Sequence, residues 1–96
     1  MLFQVEMHIK IPPDADLDKI KKLSADETAL AQELQRAGTW VHIWRVVGKR
    51  ANISIFDVAD AGALHDILTS LPLFAYMDIK VTALCHHPAS IASPAG

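Results

Sequence analysis

The spacing of hydrophobic residues changes from one segment of the chain to the next. The order of these changes constrains the fold more than any other feature of the sequence. Residues 2–11 alternate between apolar and polar side chains, which predicts a strand with one apolar face. Residues 19–35 instead place apolar side chains three or four residues apart, which predicts an amphipathic helix. The same criteria predict strands at 39–47, 52–58 and 77–85, and a second helix that begins after Asp60 and ends before Pro72.

The predicted order of elements is therefore βαββαβ, the split βαβ or ferredoxin-like arrangement. We expect an α+β fold with an antiparallel four-stranded sheet and both helices on one of its faces. The other face has no covering layer within one chain. A second copy of the chain can cover that face, which would give an α+β barrel of the dimeric type.

The composition agrees with a small domain that has apolar surface to spare. The chain has 96 residues, enough for one domain, which we place at residues 1–88 with a C-terminal tail at 89–96. A domain of this size buries only about 60–65% of its unfolded surface. Because 51% of the residues are hydrophobic, we expect a contact with a partner subunit and hence a homo-oligomer.

Charge and cysteine content exclude several classes of partner. The formal net charge of −2 argues against a nucleic-acid or anionic-membrane surface. No apolar run approaches the ~20 residues of a membrane-spanning helix. The chain starts directly in a predicted strand, without the pattern of a signal peptide, and Cys85 is its only cysteine. We therefore expect a cytoplasmic protein without an internal disulfide.

Glu27 is the residue of the first helix that most needs an explanation. It lies on the apolar stripe formed by Ile20, Leu23, Leu30 and Leu34. A carboxylate on a buried stripe must find a partner, hold a proton or line a pocket. Two interpretations are open: a core-edge side chain that extends into water, or an acid–base residue whose pKa is raised by burial.

The hairpin of the second and third strands offers candidate partners for Glu27. If residues 48 and 51 pair across the turn, His42 lies opposite Asp57, which can orient the imidazole and raise its basicity. We expect this face to form a proton-transfer pocket with Glu27, although an ion pair at the rim of the sheet explains the same spacing. A one-residue bulge would exchange the two faces. The other side chains on the expected face are Trp40, Trp44, Val46, Ile53 and Ile55, whereas Arg45, Asn52 and Ser54 point the opposite way.

Other kinds of site find little support in the sequence. The five histidines include no Cys or His pair at metal-ligand spacing, which argues against a metal site. No serine is flanked by the glycines of a nucleophile elbow, and no glycine-rich phosphate loop is present. Cys85 fits a small core residue better than a nucleophile.

Many short segments taken together make the chain resemble the muconolactone Δ-isomerases. The longest is Leu34-Gln35-Arg36-Ala37-Gly38-Thr39-Trp40, and each segment alone would be unspecific. The match extends over nearly the whole chain. The other matching segments are residues 1–3, 42, 44–45, 51–52, 54, 56–58, 64–65, 71–74, 76–79, 84–85, 87–88 and 90–91.

This resemblance implies an activity and an assembly. Members of the family are ferredoxin-like isomerases that use no cofactor and no metal, and their dimers assemble into large rings, commonly decamers. They act in the catechol branch of the β-ketoadipate pathway of aromatic catabolism. They convert muconolactone to the enol-lactone of 3-oxoadipate, so that the ring double bond moves and nothing is added or lost.

The chemistry of that reaction suggests roles for individual residues. Glu27 would be the base that removes a ring proton and returns it two carbons along. His42 or Asn52 would donate a hydrogen bond to the lactone oxygen as charge develops there. Arg45 would bind the carboxylate of the substrate. The remaining candidate substrate-binding residues are Trp40, Trp44, Ser54, Asp57 and Tyr76.

Two alternative functions are compatible with the same sequence. The related 5-chloromuconolactone dehalogenases share segments 52–54 and 86–88 and the same proton abstraction, but they expel chloride. A non-catalytic α+β barrel binding protein would use Glu27 only as a solvated side chain. The chain also departs from the usual family pattern, with Arg50 in place of tyrosine and Glu6 in place of a basic residue, which leaves its substrate preference open.

Overall fold

The structure is a computed structural model that describes residues 1–92. It has the predicted βαββαβ order, with one short 3₁₀ helix inserted before the last strand. The division into a domain at 1–88 and a tail at 89–96 stays a prediction, because residues 93–96 lie outside the described part. The elements are β1 (Leu2–Ile9), α1 (Leu17–Arg36), β2 (Trp40–Arg45), β3 (Ala51–Asp57), α2 (Ala61–Ser70), the 3₁₀ helix (Phe74–Tyr76) and β4 (Met77–Leu84).

Aspartate side chains begin both helices. The Asp16 carboxylate accepts the N–H groups of Asp18 and Lys19 at 3.0 and 3.2 Å, which satisfies two backbone donors that the first turn leaves free. Asp60 caps α2 in the same way, through the N–H of Ala63 at 2.8 Å. Helix α1 ends before Gly38, whose φ of +79° lies in the left-handed region that favours glycine.

The four strands form one antiparallel sheet in the order β2-β3-β1-β4. The central strand β1 buries Phe3, Val5 and Met7 almost completely on one face. Burying a side chain of this size contributes about 1.5–3 kcal/mol. Side chains from α1 and α2 join the same cluster, so both helices cover this face and the predicted α+β architecture is confirmed. The helix residues in the cluster are Ala31, Leu64 and Leu68.

The β2–β3 hairpin differs from the predicted register. Residues 45 and 52 are partners, so the pairing is shifted by two residues from the one expected for a turn closed by residues 48 and 51. A two-residue turn at Lys49-Arg50 would need positive φ at its central residues. Instead, Gly48 has a φ of +78°, and the Lys49 N–H donates to the Val46 carbonyl at 3.1 Å, as in a type II turn.

The face of the hairpin that meets the helices is the opposite of the one we expected. A shift of two residues leaves the alternation unchanged, so His42 and Trp44 still share a face. That face carries no helix, because the pairing of Phe3 with Phe56 directs the even-numbered residues of β3 toward α1 and α2. A β-bulge between Trp40 and His42 turns the Trp40 side chain to the helix-covered face.

The uncovered side of the sheet, which we call the open face, carries large apolar groups. Trp44 is 55% exposed there and stacks on His42 with ring centroids 4.8 Å apart. Leu84, at the end of β4, is also exposed. Within residues 1–92, neither helix has the length and hydropathy needed to cross a bilayer.

Candidate active site

A cavity of about 370 Å³ lies between α1, the β2–β3 hairpin and the segment that follows α2. Its size suits a small organic molecule. Helix α1 contributes four residues spaced so that they share one helical face. The lining residues are Ile9, Ser24, Glu27, Thr28, Ala31, Trp40, Ile43, Arg45, Arg50, Ala51, Asn52 and Leu73.

Glu27 is half-buried in this cavity and is held by one backbone hydrogen bond. The N–H of Leu73 donates to Glu27 Oε1 at 2.9 Å, which joins the middle of α1 to the segment after α2. Burial raises the pKa of the Glu27 carboxyl above its usual value of 4.5, and the Leu73 hydrogen bond opposes this rise. Since Oε1 is occupied, Oε2 is the oxygen left to accept a proton from a ligand.

Two guanidinium groups line the same cavity. Arg45 and Arg50 are exposed, so they lie on its solvent side, whereas Glu27 is the one carboxylate among the lining residues. The cavity therefore has a net positive charge in a chain whose formal net charge is −2. This distribution favours a small anion over a cation or a neutral ligand.

Asn52 and Ser54 form a polar pair on the same face of β3. The Ser54 hydroxyl donates to Asn52 Oδ1 at 2.7 Å. Asn52 lines the cavity, but Ser54 is fully buried and does not line it. Ser54 thus lies behind Asn52 rather than in the cavity wall, and its expected contact with substrate stays a prediction.

Trp40 forms an aromatic wall of the cavity. Its ring packs on Phe56 with centroids 4.7 Å apart, and the residue is 1% exposed. Within residues 1–92, its Nε1 is the only buried side-chain nitrogen or oxygen that has no hydrogen-bond partner. An unpaired buried donor costs about 1–3 kcal/mol.

Four residues predicted for the site lie elsewhere. His42 and Trp44 project from the open face, so the expectation that they meet Glu27 is wrong for a single chain. Asp57 lies opposite Leu2 rather than His42, and its carboxylate is 3.1 Å from the amino group of Met1. Tyr76 ends the 3₁₀ helix and does not line the cavity. Each of the first three misplacements follows from the hairpin register or the sheet face that we assumed.

Conversely, several lining residues were not among the predicted site residues. Ser24 lies about one helical turn before Glu27, and Thr28 follows Glu27 directly. Their spacing from Ala31 could have indicated that all four residues share one face of the helix. Arg50 precedes the first residue of β3, and Leu73 is 46 residues from Glu27. No local pattern brings these last two to the site.

The described residues contain no obvious metal centre. Within residues 1–92, no three His, Cys, Asp or Glu side chains come together in a way that could hold a metal ion. The polar side chains that line the cavity are one carboxylate, one carboxamide, two hydroxyls and two guanidinium groups.

Comparisons with known proteins identify the family of the chain. Residues 1–90 match the sequence profile of the family described as muconolactone delta-isomerase. A muconolactone Delta-isomerase of Pseudomonas putida is 56% identical over 93 residues, or 97% of each chain. Muconolactone Delta-isomerase 2 of Acinetobacter lwoffii is 52% identical over 91 residues, or 95% of each chain.

A solved structure gives the same result at the level of the fold. A crystal structure of muconolactone isomerase superimposes with a TM-score of 0.92 and 58% sequence identity, and the match covers 97% of both chains. The sequence profile, the full-length identities and the shared architecture agree. The chain belongs to the muconolactone delta-isomerase family.

Proposed function

We propose that the chain is a muconolactone delta-isomerase, an enzyme that moves the ring double bond of muconolactone to give the enol-lactone of 3-oxoadipate. The observation that carries this proposal is the half-buried Glu27 carboxyl, whose pKa is raised, in a cavity with two guanidinium groups. A carbon acid beside an unsaturated lactone needs a base of this kind. The carboxymethyl arm of the substrate supplies the anion that the cavity favours.

Glu27 acts as the single base of the reaction. Its free oxygen removes the proton from the ring carbon that bears the carboxymethyl arm. The electrons of that C–H bond form a new double bond in the ring. The electrons of the original ring double bond move toward the lactone carbonyl carbon, and negative charge develops on the carbonyl oxygen. The same carboxyl then returns the proton two carbons along, on the same face of the ring, so atoms and charge balance.

Asn52 and the arginines bind the two ends of the substrate. Negative charge develops on the lactone carbonyl oxygen during the step, and a donor aimed at that oxygen stabilises it. Of the two donors that we considered, Asn52 lines the cavity and His42 does not. Arg45 and Arg50 bind the substrate carboxylate through charge-assisted hydrogen bonds.

The chain acts as a homo-oligomer in this proposal, with dimers assembled into a ring, commonly a decamer in the family. The large apolar side chains on the open face of the sheet support self-association there. A cytoplasmic location, suggested by the single cysteine, is part of the same proposal.

Turnover in D₂O tests the function directly. The purified chain should convert muconolactone to the enol-lactone, followed by NMR, with part of the migrating hydrogen retained because one base carries it. Release of chloride from 5-chloromuconolactone at a higher kcat/KM would make the chain a dehalogenase instead. Saturable binding of muconolactone without any conversion would leave a binding protein and would contradict the proposal.

A further inference from the structure

Ser54 is a polar residue in a position that the proposed reaction does not explain. Among the described residues 1–92, Ser54 is the only polar or charged residue that is fully buried, with 0% exposure. Across the sheet it lies between Val5 of β1 and Ile43 of β2. A buried hydroxyl in such surroundings is costly unless it is hydrogen-bonded. Its bond to Asn52 therefore decides what the residue contributes.

The direction of that hydrogen bond orients the Asn52 carboxamide. A carboxamide has one acceptor, its oxygen, and one donor group, its NH₂. The Ser54 hydroxyl donates to Oδ1, so the oxygen is held toward the buried side. Within the described residues, Nδ2 donates no hydrogen bond, which leaves the NH₂ free on the residue that lines the cavity.

We propose that Ser54 is a positioning residue that holds the Asn52 carboxamide with its NH₂ group, rather than its oxygen, toward the reacting lactone. This inference rests on the proposed function. Without Ser54 the carboxamide is free to turn over, and one of its two orientations sets the amide oxygen against the developing negative charge. That orientation repels the transition state but has little effect on the ground state, so the loss falls on kcat.

Kinetics of three variants test this role. We expect Ser54→Ala to lower kcat about tenfold, as for other residues that orient a contacting group, with KM changed less than about twofold. Ser54→Thr, which keeps the hydroxyl, should restore most of the loss. In an Asn52→Ala background, Ser54→Ala should cause no further loss of kcat, because the group that it orients is gone. Ser70→Ala, which removes an exposed hydroxyl at the end of α2, is the matched control.

Two results would overturn the proposal. The first is an unchanged kcat in Ser54→Ala; the second is a loss of the same size with and without Asn52, which would indicate a packing effect alone. Thermal melts of all variants identify any loss that comes from unfolding.

Neutron diffraction reads the orientation without any turnover. Deuterons on the arm of Asn52 that points away from Ser54 are expected, and deuterons on the arm facing Ser54 would contradict the inference. A wild-type chain that fails to convert muconolactone would refute the proposed function, whereas the neutron result would still decide the orientation of Asn52.

Discussion

The two faces of the same hairpin differ in what surrounds them. On the helix-covered face, Arg45 and Asn52 line a cavity that also contains Glu27. On the open face, one residue away along β2, His42 and Trp44 stack on each other at the surface. Both faces carry titratable and aromatic groups, so residue type alone does not distinguish them. The difference is that α1 covers one face and not the other. On the covered face, the Glu27 carboxylate of α1 is partly removed from water, which raises its pKa.

Removing the Glu27 carboxylate, which α1 holds over the helix-covered face, should have the largest effect on turnover. Glu27→Gln keeps an acceptor for the Leu73 N–H but cannot take a proton. We expect kcat to fall about 10³-fold, within the range of lost general-base catalysis. Glu33→Gln, on the same helix but exposed, should retain wild-type turnover. Turnover of Glu27→Gln close to that of the wild type, with the fold intact, would remove Glu27 from the mechanism.

The arginines of the covered face should affect binding more than chemistry. Arg45→Met or Arg50→Met removes a charged donor from the cavity, which costs about 1.5–3 kcal/mol for a bound carboxylate. We expect KM to rise about 10- to 100-fold with a smaller change in kcat. Arg36→Met, in the last turn of α1 and outside the cavity, is the control. A KM that is unchanged in both variants would show that the carboxylate binds elsewhere.

The pH dependence tests whether burial of Glu27 matters to catalysis. The base must be deprotonated, so kcat/KM should be constant at high pH and fall tenfold per unit below the pKa of Glu27 in the folded chain. Because desolvation raises that pKa above 4.5, the fall should begin at a higher pH than an exposed glutamate would give. A profile that stays flat down to pH 4.5 would contradict this explanation.

The same raised pKa has a cost in stability with a definite sign. The folded chain binds the Glu27 proton more tightly than the unfolded chain does, so this contribution to stability is complete below pH 4.5 and is lost as pH rises through the folded pKa. Glu27→Gln should therefore melt above the wild type at pH 7, by a margin that shrinks toward pH 4. Thermal melts across this range check the sign.

The elements of the fold could be predicted because their signals are local. Alternation in 2–11, the helical spacing around Glu27 and the aspartate that precedes the second helix each depend on neighbours a few residues apart. The place of Glu27 on a buried stripe follows from the same spacing, and the structure puts it in the cavity. The structure places the carboxylate in the cavity, half-buried and hydrogen-bonded to the Leu73 N–H, and its acid–base role stays a proposal.

The faces of the sheet could not be predicted because they depend on pairing between distant strands. Both sides of the hairpin carry isoleucine and aromatic side chains, so alternation alone favours neither. The pairing of Phe3 with Phe56 makes the choice. The bulge beside Trp40 then moves one residue against the alternation. For the same reason Leu73, whose contact with Glu27 spans 46 residues, had no signal in the sequence.

The open face should affect assembly more than catalysis. We expect Trp44→Ser to weaken self-association, since it removes the largest apolar side chain that this face exposes. The pH at which kcat/KM falls should stay the same, because Glu27 lies on the other side of the sheet. Sedimentation across a range of concentrations measures the first effect. An unchanged oligomer at every concentration would mean that another surface joins the subunits.

The contrast between Trp40 and Trp44 gives the chain two fluorophores with different surroundings. Trp40 is buried with an unpaired N–H and should emit at short wavelength, whereas the exposed Trp44, which stacks on His42, should emit at longer wavelength. A ligand in the cavity would change the short-wavelength emission of Trp40. Contact between subunits through the open face would change the long-wavelength emission of Trp44. Ordinary emission spectra could therefore follow ligand binding and assembly separately, without an added dye.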